Sequence, residues 1–144
     1  MKISTRTRYG IRAAVELGNQ YEKGPLQLRV IAKRQGISVK YLEQLMAVLR
    51  SSGLVRSLRG AKGGYILAKK PEEITILDVF HCLEGPTSTT ECVVDCDACN
   101  QSLDCVTRQV WLDVEQAINQ VLGKVTLADL VERAKSMMRQ DYQI

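Results

Sequence analysis

The sequence predicts a mainly α-helical chain with one small β-hairpin, and three observations lead to this prediction. Apolar residues recur every three or four positions in several stretches, a Gly-containing turn separates two of the predicted helices, and a basic, glycine-rich loop follows them directly. Two helices joined by a tight turn, with a hairpin behind the second helix, make up a winged helix-turn-helix unit. The helical part of the pattern, taken alone, also fits any small helical bundle.

The first three helices are placed by their apolar stripes and by the residues at their ends. We expect one helix over residues 5–21, which Gly24 and Pro25 follow, and a shorter one over residues 26–35. Ser38 suits the N-cap of a third helix that runs to Gly53, because its hydroxyl can accept a hydrogen bond from a free backbone N–H.

A β-hairpin is expected directly after the third helix. Residues 54–58 alternate like a strand, residues 59–64 form a basic glycine loop, and residues 65–67 can pair back. A phosphate-binding P-loop is the rival interpretation, but the order G-x-x-x-x-G-K-[ST] between strand and helix is absent. The hairpin therefore has the position of a wing.

The second half of the chain contains three more predicted helices around a cysteine-rich loop. A capping-box variant at Thr75 and Asp78 opens a short helix, residues 87–104 lose all periodicity, and residues 105–122 recover a helical stripe. A similar Thr126-x-x-Asp129 pattern starts a last helix. An apolar-faced helix as long as that at 105–122 most simply buries itself against a second copy of the chain.

Length and composition limit the possible classes of protein. A chain of 144 residues has room for one ordinary core and little room for an elaborate enzyme. His81 is the single histidine, which excludes most histidine-based catalytic arrangements, and we expect it to have a surface or packing role. Neither a signal peptide nor a membrane helix is expected, so the sequence predicts a cytoplasmic protein with no membrane partner. The short chain and the single histidine predict that it is not an enzyme.

The charge is divided unevenly along the chain. Residues 1–70 hold 15 Lys and Arg against three Glu, a net charge of +12, whereas residues 71–144 hold five basic against 13 acidic residues, a net charge of −8. The first half should attract polyanions and the second should not. On charge alone, a solvated basic surface is the alternative.

The residues expected to contact DNA lie on the third helix and on the wing. The N-terminal part of such a helix reaches base edges. There the Gln44 amide could pair with adenine, and the Glu43 carboxylate could accept a hydrogen bond from the amino group of cytosine. The expected contacts to the DNA backbone or minor groove come from the other polar and basic residues of this face: Ser38, Lys40, Tyr41, Arg50, Arg59 and Lys62.

Four cysteines form the second candidate site. Cys92, Cys96, Cys99 and Cys105 lie within fourteen residues on a loop that leads into a helix. Cytosolic disulfides are uncommon, so the cluster favours an iron-sulfur centre or zinc, and a redox disulfide between Cys96 and Cys99 is a further alternative. Cys82 lies on an apolar helix, where we expect a small buried side chain.

With these residues placed, the chain resembles the IscR/NsrR/CymR family of bacterial regulators over essentially its full length. The matching motifs are residues 1–5 with Arg8-Tyr9-Gly10, then 41–45, 53–55, 59–65, 83–86 and 105–111. The resemblance implies a winged-helix homodimer joined by the long helix, DNA sites of twofold symmetry, and an iron-sulfur cluster on three cysteines with a histidine three residues after the last.

Two positions depart from that ligand pattern. Cys99 and Cys105 match the second and third cysteines, and either Cys92 or Cys96 is the first, at a spacing that differs from the family's. Arg108 stands where the family has its histidine, and it cannot ligate because it keeps its proton. The spare cysteine can then be the fourth ligand, which is compatible with a 2Fe-2S cluster, which we favour, or with 4Fe-4S, and zinc is the rival.

The sequence therefore predicts a sequence-specific DNA-binding transcriptional regulator that senses iron-sulfur cluster status and controls iron-sulfur assembly or related stress genes. We expect a DNA-binding domain at 1–84, a cluster-binding loop at 85–104 and a dimerisation region at 105–144, with cluster-delivery proteins as further partners. The alternatives are a cluster-free regulator of thiol or cysteine metabolism, and a zinc-binding adaptor or thiol oxidoreductase that never meets DNA.

Overall fold

The computed structural model describes residues 1–142 and confirms the mainly helical fold with one hairpin. Its helices are α1 (Thr5–Asn19), α2 (Leu28–Gln35), α3 (Val39–Ser51), α4 (Ile76–Leu83), α5 (Glu91–Val94), α6 (Val106–Lys124) and α7 (Leu127–Asp141). The strands are β1 (Val55–Leu58) and β2 (Gly64–Leu67), and 3-10 turns occur at Pro71–Glu73 and Cys96–Ala98.

One apolar core holds α1 to α4, the wing and the start of α7 together. Each of these helices contributes the face on which its apolar residues recur, so the helical stripes in the sequence become the buried surface. The side chains that are almost completely buried include Leu17, Ile31, Leu42, Leu45, Met46, Leu49, Ile74 and Leu127.

The helix-turn-helix unit is formed by α2 and α3. Gly36 ends α2 in the left-handed conformation, with φ of 66°, which a residue without a Cβ adopts at little cost. Ser38 caps α3 as expected and accepts a hydrogen bond from the Tyr41 amide at 3.1 Å. The prediction that α2 begins at Leu26 was wrong, because Leu26 pairs with Tyr65 and extends the wing.

The wing is a two-stranded antiparallel hairpin. Val55 lies opposite Leu67 and Leu58 lies opposite Gly64, so residues 59–63 form the loop. Leu26 and Tyr65 exchange backbone hydrogen bonds of 3.0 and 2.9 Å. The wing is thereby attached to the residues just before α2.

The last helix returns to the apolar core formed by α1 to α4 and the wing. The Leu127 amide donates to the Ile74 carbonyl at 2.9 Å, and the Ile76 amide donates to the Val125 carbonyl at 2.8 Å. Both junctions carry the capping boxes that the sequence predicts, one at Thr75 and one at Thr126. The start of α7 then packs against α1, so the first and last helices share one apolar core.

The helix α6 has no fully buried residue in the single chain. It is 19 residues long, about 28 Å at 1.5 Å per residue. Val106, Val110 and Val121 are 85, 51 and 65% exposed, and Ala117 is also exposed. At 3.6 residues per turn these four positions lie within about 60° of one another around the helix axis. They form one apolar face that α6 does not bury within the chain.

The loop that the sequence predicts at 87–104 contains two short ordered turns. These are α5 and the 3-10 turn at Cys96–Ala98. Ser102, which follows them, is buried and its hydroxyl donates to the Cys96 carbonyl. The prediction of an irregular loop was therefore too coarse. Hydrogen bonds between neighbouring residues order this region, and such bonds leave no apolar periodicity in the sequence.

Candidate DNA interface and cysteine segment

The polar face of α3 is exposed opposite its buried face. Lys40, Glu43 and Gln44 are exposed, whereas Leu42 and Leu45 between and beside them are buried. The helical period thus fixes α3 in the core and directs the polar residues that the sequence singles out to solvent. Ser38 is also exposed, at the N-terminal end of the helix, where its hydroxyl already caps α3.

Tyr41 differs from its neighbours because it is half-buried. Its ring packs edge-on against the ring of Tyr9 in α1, with 6.3 Å between the centroids. The guanidinium of Arg12 lies 5.4 Å from the centre of the Tyr9 ring. Tyr41 therefore helps to hold α3 against α1. Its predicted contact with phosphate stays a prediction.

Arg50 connects the end of α3 with the wing. Its guanidinium donates to the Ser57 hydroxyl of β1 at 3.4 Å, and both residues are exposed. Arg59 and Lys62 are exposed in the loop of the wing. The structure thus connects the C-terminal end of α3 to the first strand of the wing through Arg50.

Some basic residues of the first half are already engaged with the protein. Arg34 forms an ion pair with Glu16 at 2.9 Å, and the guanidinium of Arg56 donates to the Ala68 carbonyl at 3.3 Å. The net charge of +12 on residues 1–70 is therefore not all equally accessible to a polyanion.

The four cysteines of the second site lie on residues 91–105, which we call the cysteine segment. Cys92 is on α5, Cys96 begins the 3-10 turn, Cys99 follows that turn, and Cys105 is the N-cap residue of α6. Cys96 and Cys99 are exposed, and Cys92 and Cys105 are half-buried. All four are free thiols.

Cys105 is the thiol of this segment whose environment favours the anion. The hydroxyl of Thr107, 3.2 Å from the sulfur, lowers the pKa of Cys105 below its ordinary value of 9.0, and the backbone amides of Arg108 and Thr107 act in the same direction. These amides belong to the first turn of α6, where N–H groups are free to interact with a negative charge.

Arg108 makes two contacts with the cysteine segment that sequence reasoning missed. Its Nε donates to the Cys92 carbonyl at 2.9 Å, and its Nη2 donates to the Cys96 sulfur at 3.1 Å. In the sequence it stands only as a residue that replaces a ligand. The signal that could have found it was its position in the first turn of a helix that directly follows the cysteines.

The donor set of the cysteine segment fits a soft metal centre, but the arrangement of the thiols does not yet form one. Four thiols, one with a lowered pKa, match the ligand preference of zinc and of iron-sulfur clusters. Within residues 1–142, no three Cys, His, Asp or Glu side chains come together as a metal-binding group. Ligation by three or four of these cysteines therefore requires the segment to rearrange.

Two other residues noted in the sequence lie outside this segment. His81 is exposed on α4, with its ring 6.5 Å from that of Phe80. Cys82 is partly buried against the apolar core, which agrees with its expected packing role. Among the helices of residues 1–142, none has the length and apolar character needed to span a membrane.

Comparison with known proteins identifies the family. A family model described as "Rrf2: Iron-dependent Transcriptional regulator" matches residues 3–133. The HTH-type transcriptional regulator CymR of Bacillus subtilis (strain 168) is 42% identical over 130 residues, which cover 90% of this chain and 89% of that protein.

Two solved structures resemble the whole fold. The structure of CymR (YrzC), the global cysteine regulator of B. subtilis, has a TM-score of 0.78 at 40% identity and covers 92% of this chain and 98% of that one. The structure of T. potens IscR has a TM-score of 0.76 at 42% identity and covers 93% of this chain and 88% of that one. These relatives are transcriptional regulators and not enzymes, and the chain belongs to the Rrf2 family of DNA-binding transcriptional regulators.

Proposed function

We propose that this regulator acts as a cytoplasmic homodimer whose affinity for its operators depends on an iron-sulfur cluster held by Cys92, Cys96, Cys99 and Cys105. The observation that carries the proposal is the position of these four thiols on the segment that enters α6. The genes under its control are then those of iron-sulfur assembly or a related stress response, which it represses or activates.

The DNA-reading part of the proposal rests on the exposed face of α3 and the wing. Glu43 and Gln44 would reach base edges in the major groove, and Lys40 with Ser38 would contact the backbone beside them. Arg59 and Lys62 on the wing would contact phosphates or the adjacent minor groove. Arg50 and Tyr41, which also lie on α3, would add contacts to the DNA backbone, although both also make contacts within the protein.

The dimer part of the proposal rests on the exposed apolar face of α6. Val106, Val110 and Val121 are exposed on one face of α6. Covering this face with a second copy of the chain would remove apolar surface from water and so lower the free energy. A twofold dimer presents two α3 helices, so the operator should consist of two half-sites in twofold symmetry, about one helical turn of DNA or a multiple of it apart.

The cluster part of the proposal assigns all four cysteines as ligands. All-thiolate ligation is compatible with a 2Fe-2S cluster, which we favour, and with 4Fe-4S. The four cysteines would supply the thiolate ligands, and the bound cluster would supply an iron centre whose presence depends on oxidation and on iron supply. The chain's own contribution is mechanical, because ligation would rearrange residues 91–105, and Cys105 is the N-cap residue of α6.

In this proposal the chain divides by function into residues 1–84, which bind DNA, residues 85–104, which hold the cluster, and residues 105–144, which form the dimer. The start of α7 contributes to both outer regions because Leu127 is buried in the core of the DNA-binding region. Rearrangement of the cysteine segment would then change the distance between the two α3 helices of a dimer. Proteins that deliver clusters are the further partners that such a regulator needs.

The test is anaerobic purification followed by iron, sulfide and zinc assays and an absorption spectrum. We expect a coloured protein with iron and sulfide, and loss of both when any of the four cysteines is changed to Ser. Cys82→Ser is the matched control, since Cys82 lies on α4 outside the segment. The same preparations, with and without cluster, are then titrated with operator DNA, and equal affinity and base preference in both states would refute cluster sensing.

A regulator of thiol or cysteine metabolism without a cluster is the second candidate. It is favoured by the lowered pKa of Cys105 and by the separation of the thiols within the described residues. The similar B. subtilis structure also bears the description of a global cysteine regulator. Colourless anaerobic protein whose operator affinity changes on oxidation of the thiols would support this candidate, and colourless protein with stoichiometric zinc would support a zinc site.

A further inference from the structure

The guanidinium of Arg108 is shared between two cysteines of the cysteine segment. It binds the Cys92 carbonyl at 2.9 Å through Nε and the Cys96 sulfur at 3.1 Å through Nη2. Because the guanidinium is planar and its donors are fixed relative to one another, the two bonds hold α5 and the following turn in one position relative to the first turn of α6.

These contacts compete with a metal ion for the same sulfur. The Cys96 Sγ accepts an N–H from Arg108 at 3.1 Å, so the guanidinium occupies one side of the sulfur from which a metal ion could approach. In addition, a guanidinium keeps its positive charge under all ordinary conditions, so a cation approaching Cys96 meets a like charge at close range.

We propose that Arg108 controls metal loading of the cysteine segment: it occupies Cys96 in the metal-free chain and must move away before Cys96 can become a ligand. This inference rests on the proposed function, which makes Cys96 a cluster ligand. Arg108 therefore acts as a positioning residue with two states, bound to Cys92 and Cys96 or released from both.

The state of Arg108 also decides what α6 is attached to. In the bound state, α5 and the Cys96–Ala98 turn are tied to Arg108, the third residue of α6. In the released state, these two hydrogen bonds are absent, and a metal shared by the cysteines would connect the segment to Cys105 at the start of α6. Metal loading thus exchanges one connection at the end of α6 for another.

The experiment is a Co²⁺ titration of the metal-free protein, followed through the absorption of cobalt-thiolate bonds. In Arg108→Gln the positive charge and the paired donors are removed, and we expect Co²⁺ to bind about tenfold more tightly than to the parent. Arg108→Lys keeps the charge without the two-point contact and should lie between them. Arg133→Gln on α7 removes a cation far along the chain from the cysteines and should bind as the parent does.

Hydrogen exchange of the metal-free protein gives a second readout that needs no metal. Amides of residues 92–99 should exchange faster in Arg108→Gln than in the parent, and at the parent's rate in Arg133→Gln. Unchanged exchange would overturn the inference, because it would mean that Arg108 does not hold the segment.

The titration separates this inference from the proposed function. Equal or weaker Co²⁺ binding by Arg108→Gln, in a protein that does bind the metal, would overturn the role of Arg108 and leave the cluster proposal intact. A parent and variants that all fail to bind Co²⁺ and to assemble a cluster would instead refute the proposed function.

Discussion

The carboxylate of Glu84, at the end of α4, accepts a hydrogen bond from the hydroxyl of Ser4, the N-cap residue of α1, at 2.6 Å. It also accepts from the Ser4 amide at 3.3 Å and from the hydroxyl of the buried Thr7. Hydrogen bonds from Ser4 first, and then from Thr7, lower the pKa of Glu84 below its ordinary value of 4.5. One carboxylate thus fixes the residue before the cysteine-rich region to the start of the first helix.

Glu84 should make the stability of the chain depend on pH in the acid range. Its pKa is lower in the folded than in the unfolded chain, so its contribution is complete above pH 4.5 and is lost as the pH falls through the folded-state value. We expect Glu84→Gln to lower the free energy of unfolding by about 0.5 to 1 kcal/mol at pH 7, a small value because the group is exposed to solvent. Urea unfolding at several pH values measures it.

The control for this prediction is Glu72→Gln, which changes an exposed carboxylate in the Pro71–Glu73 turn. This variant and the parent should show the same difference in the free energy of unfolding between pH 7 and low pH. A deficit of Glu84→Gln that persists undiminished well below pH 4 would contradict the assignment, because protonated Glu84 should resemble glutamine.

Gly64→Ala should disrupt the wing. Gly64 has φ of +150°, and a Cβ there would lie 2.6 Å from the Leu26 carbonyl oxygen. Relief of that contact must separate Leu26 from Tyr65 and break their backbone hydrogen bonds. We expect a decrease of about 1 to 3 kcal/mol in the free energy of unfolding, measured by urea denaturation, together with weaker DNA binding.

Ala61→Gly in the same loop is the control for the wing, since Ala61 is exposed and Gly imposes no contact. It should change the unfolding free energy by less than about 1 kcal/mol. If Gly64→Ala proved as stable as the parent, the pairing of Leu26 with the wing would not restrain this position.

Gln44→Ala should relax base preference without changing the salt dependence of binding. Removal of the paired hydrogen bonds to adenine costs about 1 to 3 kcal/mol of discrimination at one position of each half-site. Lys40→Ala is the matched comparison on the same helix face and should weaken binding equally for all sequences, with a salt slope lower by about 0.9 for each phosphate that is no longer neutralised. Fluorescence anisotropy with a selected operator and its single-base variants distinguishes the two, and a changed salt slope in Gln44→Ala would contradict a base contact.

We expect Val110→Glu to convert the proposed dimer to a monomer at micromolar concentration. Val110 lies on the exposed apolar face of α6, and a charge buried in a contact between two copies has no partner there. Gln116→Glu adds the same charge on another side of the same helix and should leave the dimer intact. Sedimentation equilibrium measures both, and an unchanged mass for Val110→Glu would mean that this face does not form the dimer.

Local sequence signals predicted much of the fold. Ser38, Thr75 and Thr126 cap their helices as expected, because a cap depends on residues within one turn of the chain. The order of helices and hairpin follows from apolar periodicity, which is also local.

Contacts between distant residues were not predictable in the same way. The pairing of Leu26 with Tyr65 depends on where the hairpin lies in space, and the burial of Leu127 beside α1 depends on how the last helix turns back. At the candidate site, cysteine spacing located the thiols but could not reveal that Arg108 binds two of them. That contact joins a loop with no periodicity to a helix turn.

The attachment of α6 at its far end has a mechanical consequence. Hydrogen bonds between Ile76 and Val125 and between Leu127 and Ile74 anchor that end to the apolar core, whereas Cys105 lies at the opposite end, about 28 Å away. α6 also packs against α4, and the Thr87 hydroxyl donates to the Asn119 side-chain oxygen at 2.7 Å. If these contacts yielded, a rotation of about 10° about the anchored end would move the Cys105 end by about 5 Å, roughly the pitch of one helical turn.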